Sequence, residues 1–254
     1  MPIKGNDLAK VRDLSLFRSV SDEVFRELLA SAYLQSFPPA AQLLTEGDAV
    51  DFLYVLLEGS VELSASWRDK DTTLAVLRPV STFILAAVVL DADALMSATT
   101  MVRSDVLMIS GEALRSAAAS DAAMGFALAQ ELAGCYRGLV RTVKSQKLRG
   151  GQERLANYIL TQQVRQGGAT VVELPHGKRV LASLLGMTPE NLSRAFAALA
   201  GHGLEVRGPK VAITDPVALR RLARPDPLID NHSPDWSRRM GKADRERWPV
   251  LGRG

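Results

Sequence analysis

Four side chains within five positions, Glu190, Asn191, Ser193 and Arg194, carry hydrogen-bonding groups that can read the edges of nucleic-acid bases. A planar guanidinium such as that of Arg194 meets guanine O6 and N7 with two parallel bonds, a carboxylate such as Glu190 accepts from a cytosine amino group, and a hydroxyl such as Ser193 bonds either base type or a phosphate. Such groups work only if a rigid element presents them together. The surrounding stretch KRVLASLLGMTPENLSRAFAALAGHG, residues 178–203, supplies one. Val180, Leu181, Leu184 and Leu185 recur at helical spacing, and Gly186 then ends that helix in a backbone geometry that costs other residues more. Thr188 is placed to cap a second helix, with Pro189 at its first position and Glu190 and Asn191 in its first turn. Leu192, Phe196 and Leu199, at i, i+4 and i+7, form the stripe to be buried, so Glu190, Asn191, Ser193, Arg194 and Ala197 are left on the opposite face. Gly201 and Gly203 close the helix. Two helices across a short turn make a helix-turn-helix, whose second helix enters the DNA major groove.

An ordinary helical hairpin would show the same stripe, but the next segment of the chain tells against it. LEVRGPKVAITD consists of two short β-type runs around Arg207-Gly208-Pro209-Lys210, a hairpin with a basic tip. A helix-turn-helix succeeded at once by such a hairpin is a winged helix. Lys178, Thr188, Arg207 and Lys210 complete the candidate DNA-contacting set.

The chain has 254 residues, 47% of them hydrophobic and 23% charged, enough for two domains with separate cores. The longest apolar run, FILAAVVL at 83–90, is far short of a membrane span, and the amino terminus MPIKGNDLAKVRD has no signal-peptide core, so a cytoplasmic protein without membrane contact is expected. Cys135 is the only cysteine, which excludes an internal disulfide and a four-thiolate iron–sulfur cluster within one chain. Net charge is +3, unevenly spread: residues 1–120 carry ten basic and sixteen acidic side chains, residues 151–224 ten basic and five acidic. The back half is therefore the end suited to a polyanion.

Four segments are expected, in an α+β fold. Residues 1–120 begin with a short amphipathic helix within Leu8–Val20 and a helix SDEVFRELLASAYL capped by Ser21. They continue as about eight short strands, ending near Ser110, in an antiparallel β-roll. Residues 121–150 form a long helix on which Leu128, Leu132, Cys135, Leu139 and Val143 recur every three or four positions, the seam of a two-stranded coiled coil and hence a homodimer; packing of this helix on its own roll is the alternative. Arg149-Gly150-Gly151 breaks it as a hinge. Residues 151–224 are the winged helix, and 225–254, with four prolines in ARPDPLIDNHSPDWSRRMGKADRERWPVLGRG, read as a disordered tail.

The segment GMTPENLSRAFAALAGHGLEVRG resembles the DNA-binding module of the Crp/Fnr superfamily of bacterial transcription regulators. Glu190, Ser193 and Arg194 match the Fnr-like form of its recognition helix position by position. The resemblance implies a non-enzymatic regulator that reads TTGAT-type half-sites in an inverted repeat as a homodimer, and that contacts RNA polymerase if it activates. Glu46-Gly47-Asp48 and Leu57-Glu58-Gly59 resemble the cyclic-nucleotide-binding roll of the same superfamily.

The roll departs from that pattern where it matters. Aligned without gaps to the family's Phe-x-Gly-Glu stretch, Phe83 and Ile84 are followed by Leu85 and Ala86, and Met96 stands where the phosphate-binding Arg precedes Ser97. A phosphodiester removed from water with no cation to meet it is costly, so no cyclic nucleotide is expected. Leu85, Ala86, Val89, Met96 and Ser97 define an apolar effector region instead. STFILAAVVLDADALMSA resembles the Dnr/Nnr branch, which answers to nitric oxide, and the resemblance raises haem as a cofactor for a nitric oxide or CO sensor. The three histidines, His176, His202 and His232, all lie in the back half, leaving Cys135, Met96, Met101, Met108, Tyr54, Tyr136 and the Pro2 amine as candidate ligands. A ligand-free regulator controlled by its abundance stays open. A cupin-like metal enzyme does not fit a sensor half without histidine, and no catalytic or metal site is expected.

Overall fold

The computed structural model describes residues 5–68 and 70–230. They divide into two units whose boundary, between Ala133 and Gly134, falls inside one helix.

The amino-terminal unit opens with α1 (Gly5–Arg12) and α2 (Asp22–Ala30). Ser21 caps α2 by accepting the Val24 N–H, and Asp22 and Glu23 lie in its first turn, where acids favour the helix dipole. The helix ends at Ala30 rather than running on through Leu34, because the Ser31 hydroxyl bonds back to Leu28 O and the following residues are taken into a sheet. Eight strands follow: β1 (Ala32–Phe37), β2 (Gln42–Leu44), β3 (Phe52–Glu58), β4 (Val61–Trp67), β5 (Lys70–Leu77), β6 (Ser81–Phe83), β7 (Ser97–Thr100) and β8 (Ser104–Ser110). They pair antiparallel in two four-stranded sheets, ordered β1-β8-β3-β6 and β2-β7-β4-β5, the expected roll. Between β6 and β7 the apolar run folds as a short helix, α3 (Leu85–Leu90), and α4 (Gly111–Ser120) follows the roll. The sequence of β3, FLYVLLE, lacks polar alternation because it is covered on both sides, with α1, α3 and α4 all packing on it. Leu53, Leu56, Leu107 and Ile109 form the centre of this core with Phe17, Leu28 and Leu114.

Helix α5 (Ala122–Leu148) is one continuous helix whose first turn is capped by the Asp121 carboxylate, which accepts from Ala123 and Met124 N–H. Its apolar positions do not all lie where the expected coiled-coil seam puts them. Met124 and Leu128 are buried in the roll's own core, and Leu132 is half-buried against it. Solvent meets a neighbouring stripe, Phe126, Ala129, Ala133, Tyr136, Val140 and Val143, spaced alternately three and four apart, with Leu139 and Cys135 exposed beside it. The two stripes interleave on one helix, and spacing alone does not say which belongs to the core.

The carboxy-terminal unit contains α6 (Gly151–Arg165), β9 (Val171–Glu173), α7 (Lys178–Leu184), α8 (Pro189–Ala200), β10 (Leu204–Arg207), β11 (Lys210–Ile213), α9 (Pro216–Ala223) and α10 (Pro227–Asp230). Its sheet is ordered β10-β11-β9, and its core joins Leu155, Ile159 and Leu160 to Leu192, Leu199 and Leu219. At the junction of α5 and α6, Gly150 adopts ordinary extended backbone that any residue can adopt. The break is held rather than loose: the Glu153 carboxylate accepts the Gly150 N–H at 2.7 Å, and the Arg154 guanidinium donates to Arg149 O at 2.6 Å and to Leu185 O at 2.8 Å. Residues 225–230, read as the start of a disordered tail, are ordered and end in α10; the remainder of that tail lies outside the described residues, as do Pro2 and His232. Among the described residues no helix is long and apolar enough to cross a membrane.

The buried Asn157 ties α6 to the end of α9, its amide donating to Glu153 O at 2.9 Å and Ala223 O at 2.5 Å. Asn157→Ala leaves the Ala223 carbonyl buried without that donor and should destabilise the protein by about 1–3 kcal/mol in a chemical denaturation series.

Candidate nucleic-acid interface and effector region

Helix α8 is built as its sequence suggests. Thr188 Oγ1 accepts the Asn191 N–H at 3.2 Å, Pro189 takes the first helical position, and Gly186 supplies the left-handed turn before it, at φ 60°. Leu192, Ala195, Phe196 and Leu199 are buried, and Glu190, Asn191, Ser193, Arg194 and Ala197 are exposed together on the other side. At the far end Gly203 has φ 78°, and a Cβ there would collide with the side chain and backbone of Asp215, so the turn into the wing requires glycine. Asp215 in turn caps α9.

The recognition side chains hold one another. An Arg194 N–H donates to Asn191 Oδ1, which aims the guanidinium along the helix surface. Ser193 Oγ donates to Pro189 O at 3.0 Å, so its proton is used within the helix and its lone pairs face outward. The Thr188 hydrogen bond, followed by the bond from Glu190's own backbone N–H and the charge of Arg194, holds Glu190 below its usual value of 4.5. A depressed carboxylate contributes above its ordinary value and loses that contribution as pH falls through the lowered one, so Glu190 is an acceptor throughout the neutral range.

The wing pairs Arg207 with Lys210 across the two-residue turn Gly208-Pro209, Gly208 having φ 63°. Lys178, Thr188, Arg207 and Lys210 are all exposed. Lys178 and Arg207 line an open groove of about 510 Å³ with Ser193 and Phe196, between the start of α7, the outer face of α8 and the wing. Glu205, which sequence reasoning passed over, also lines it and accepts from Arg207 at 2.7 Å. Its position two residues before Arg207 on one strand, hence on the same face, was the available signal.

The effector residues lie in and against the core of the roll. Leu85 and Val88 are buried in the core of the roll, Ala86 is exposed, and Val89 and Met96 are half-buried against that core. Ser97 Oγ accepts the Glu46 N–H at 2.9 Å. Ile84, a β-branched residue at φ 65°, precedes α3, and Arg115 caps the other end by donating to Val88 O at 2.9 Å. Of the candidate haem ligands, Met96, Met101 and Met108 are half-buried in the amino-terminal unit. Tyr54, the most buried candidate ligand, stacks on Phe83 at 5.1 Å and donates to Leu43 O at 3.4 Å, and desolvation pushes its phenol up, away from the anionic form a metal takes. Cys135 and Tyr136 are exposed on α5. Among the described residues no three His, Cys, Asp or Glu side chains are grouped to hold a metal ion.

A two-part molecule with an antiparallel roll and a winged helix that presents Glu, Ser and Arg to solvent is a DNA-binding regulator. Residues 153–222 match the Crp-like helix-turn-helix domain family and residues 34–121 the cyclic nucleotide-binding domain family. The chain, which carries both domains, is a DNA-binding transcription regulator of the Crp/Fnr type. It is 25% identical over 215 residues, 82% of its length and 96% of the relative's, to a CRP-like cAMP-activated global transcriptional regulator of Mycobacterium tuberculosis. Its fold is similar to a Crp/Fnr family regulator of Eubacterium rectale (TM-score 0.68, 13% identity, 84% of this chain and 99% of that one) and to DNR of Pseudomonas aeruginosa (TM-score 0.50, 23% identity, 87% and 100%).

Arg194→Ala should weaken binding to the preferred sequence by about 1–3 kcal/mol and random DNA much less, read by fluorescence anisotropy on matched duplexes. Equal losses on both would deny Arg194 a base-reading role.

Proposed function

We propose that two copies of this chain pair through α5 and read an inverted repeat of TTGAT-type half-sites with Glu190, Ser193 and Arg194. The observation that carries this reading is the joint exposure of those three side chains on a helix whose opposite face is anchored in the core. Thr188, Asn191, Lys178, Arg207 and Lys210 flank them and are assigned to neighbouring bases and phosphates. Twofold symmetry places the two recognition helices about 34 Å apart on one DNA face. The apolar stripe Phe126, Ala129, Ala133, Tyr136, Val140 and Val143 has the three-four spacing of a coiled-coil seam and is the surface we assign to the dimer, with Leu139 at its margin.

The switch we assign is a signal other than a cyclic nucleotide. Met96 and the exposed Ala86 offer no cation for a phosphodiester and no carboxylate for a ribose. The 81–98 stretch resembles the nitric-oxide-responsive branch, which makes nitric oxide, in nitrogen-oxide metabolism, the first signal to test. The alternative is a haem-dependent sensor of nitric oxide or CO with ligands other than histidine, Met96, Met101 and Met108 among the candidates. A second reading, a regulator without a small-molecule effector and controlled by its abundance, is favoured by the burial of Phe83, Leu85 and Val88 in the roll's core. In either case the protein works in the cytoplasm, and RNA polymerase is its partner where it activates.

Sedimentation should show a dimer that Val140→Glu converts to monomer, with loss of tight binding to an inverted repeat and retention of weak half-site binding. A monomeric wild-type protein at working concentration would refute the dimer. Cyclic AMP should leave both melting temperature and DNA affinity unchanged; nitric oxide altering that affinity separates the switched reading from the effector-free one.

A further inference from the structure

The chain does more after the winged helix than trail away. Helix α9 ends at Ala223, Arg224 turns the backbone through φ 44°, and α10 comes back as a small closed unit in which Asp230 Oδ2 accepts the Asp226 N–H at 2.7 Å and Leu228 N–H reaches Asp226 Oδ1 at 2.8 Å. Ile229 is buried beneath it. The unit presents Asp230 to Arg149, 81 residues earlier and the first residue after α5. The two guanidinium nitrogens bond the two carboxylate oxygens, Nη1 to Oδ1 at 2.6 Å and Nη2 to Oδ2 at 2.7 Å, with only 8% and 11% of the two side chains exposed. A pair this well enclosed and fork-matched is screened little by salt and holds a direction as well as a distance. The hydrogen bond that Arg149 donates to Asp230 also raises the guanidinium above its usual value.

The backbone of Arg149 is held as firmly as its side chain. Its N–H still belongs to the last turn of α5, bonding Ser145 O at 3.2 Å, and its carbonyl accepts from Arg154. Arg154 donates as well to Leu185 O and Gly186 O, the carbonyls just past the end of α7 at the turn into the recognition helix. The end of α5 is thus fixed from two sides, by α6 and by the 224–230 segment. Arg149 and Asp230 both lie outside the stretch 153–222 that matches the helix-turn-helix family.

We propose that Arg149 and Asp230 are positioning residues for DNA recognition: the 224–230 segment clasps the end of α5 and sets the angle at which that helix leaves the winged helix, and so the separation of the two recognition helices in a dimer. The proposal rests on the dimeric, inverted-repeat reading above.

The test uses the full chain and a set of inverted repeats whose central spacer is lengthened and shortened one base pair at a time, plus a single half-site. The wild type should prefer one spacer. Asp230→Ala should lose affinity for that best operator by roughly tenfold while binding mis-spaced operators nearly as before, so that the spacer profile flattens, with half-site affinity and dimer mass unchanged. Asp230→Asn, which keeps the shape and removes the charge, should do the same and serves if the alanine variant folds poorly; exchanging the pair as R149D/D230R should restore part of the preference. A variant that is merely less stable loses affinity on every duplex in proportion and keeps its profile, and that result, or an unchanged profile at full affinity, overturns the proposal. A wild type that ignores the repeat altogether instead removes the dimeric reading on which the proposal stands.

Discussion

Everything in the carboxy-terminal unit depends on how α8 is sided. Leu192, Phe196 and Leu199 are driven out of water into a core that α6 and α9 also line, and each contributes on the order of 1.5–3 kcal/mol by that burial. A helix anchored on one face has no choice about the other. The polar residues between the anchors are turned outward, and because they sit on a rigid element their relative positions are kept at small entropic cost. Recognition chemistry here is a consequence of hydrophobic burial on the opposite side of the same helix.

The supports around α8 are polar and local. Thr188 and Asp215 cap helices, Gly186 and Gly203 supply left-handed turns, and Arg154 satisfies carbonyls at the ends of both α5 and α7. Helix C-termini leave carbonyls unpaired, and one guanidinium with five donors can serve two of them at once. This makes the α5–α6 junction a held joint. Any movement there must exchange hydrogen bonds, which is how a two-state element differs from a flexible linker.

The amino-terminal unit has the architecture of a cyclic-nucleotide roll. Leu85 and Val88 lie in its core, and Ser97 accepts the Glu46 amide N–H. Ile84 in the left-handed region shows a cost just before α3: a β-branched residue there stores about 1–3 kcal/mol that the surrounding sheet must offset.

Where residues carry their own instructions, the sequence alone determined the outcome. Thr-Pro at 188–189, the i, i+4, i+7 stripe of α8, the Gly-Pro turn of the wing and the glycine-punctuated strands of the roll each act within a few residues, so helix-turn-helix, wing and eight strands are all legible before any coordinates. What needed the tertiary structure is whatever depends on a distant partner. Spacing on α5 permits two interleaved stripes, and only the packing of Leu128 and Leu132 on the roll decides that Tyr136 and Val140 are the ones left outside. Prolines after residue 224 suggest disorder, yet Asp230 finds Arg149 across 81 positions, and Asn157 finds the carbonyl of Ala223. Local propensity has no term for such long-range pairs; they exist because the folded chain brings together groups whose burial would be costly alone.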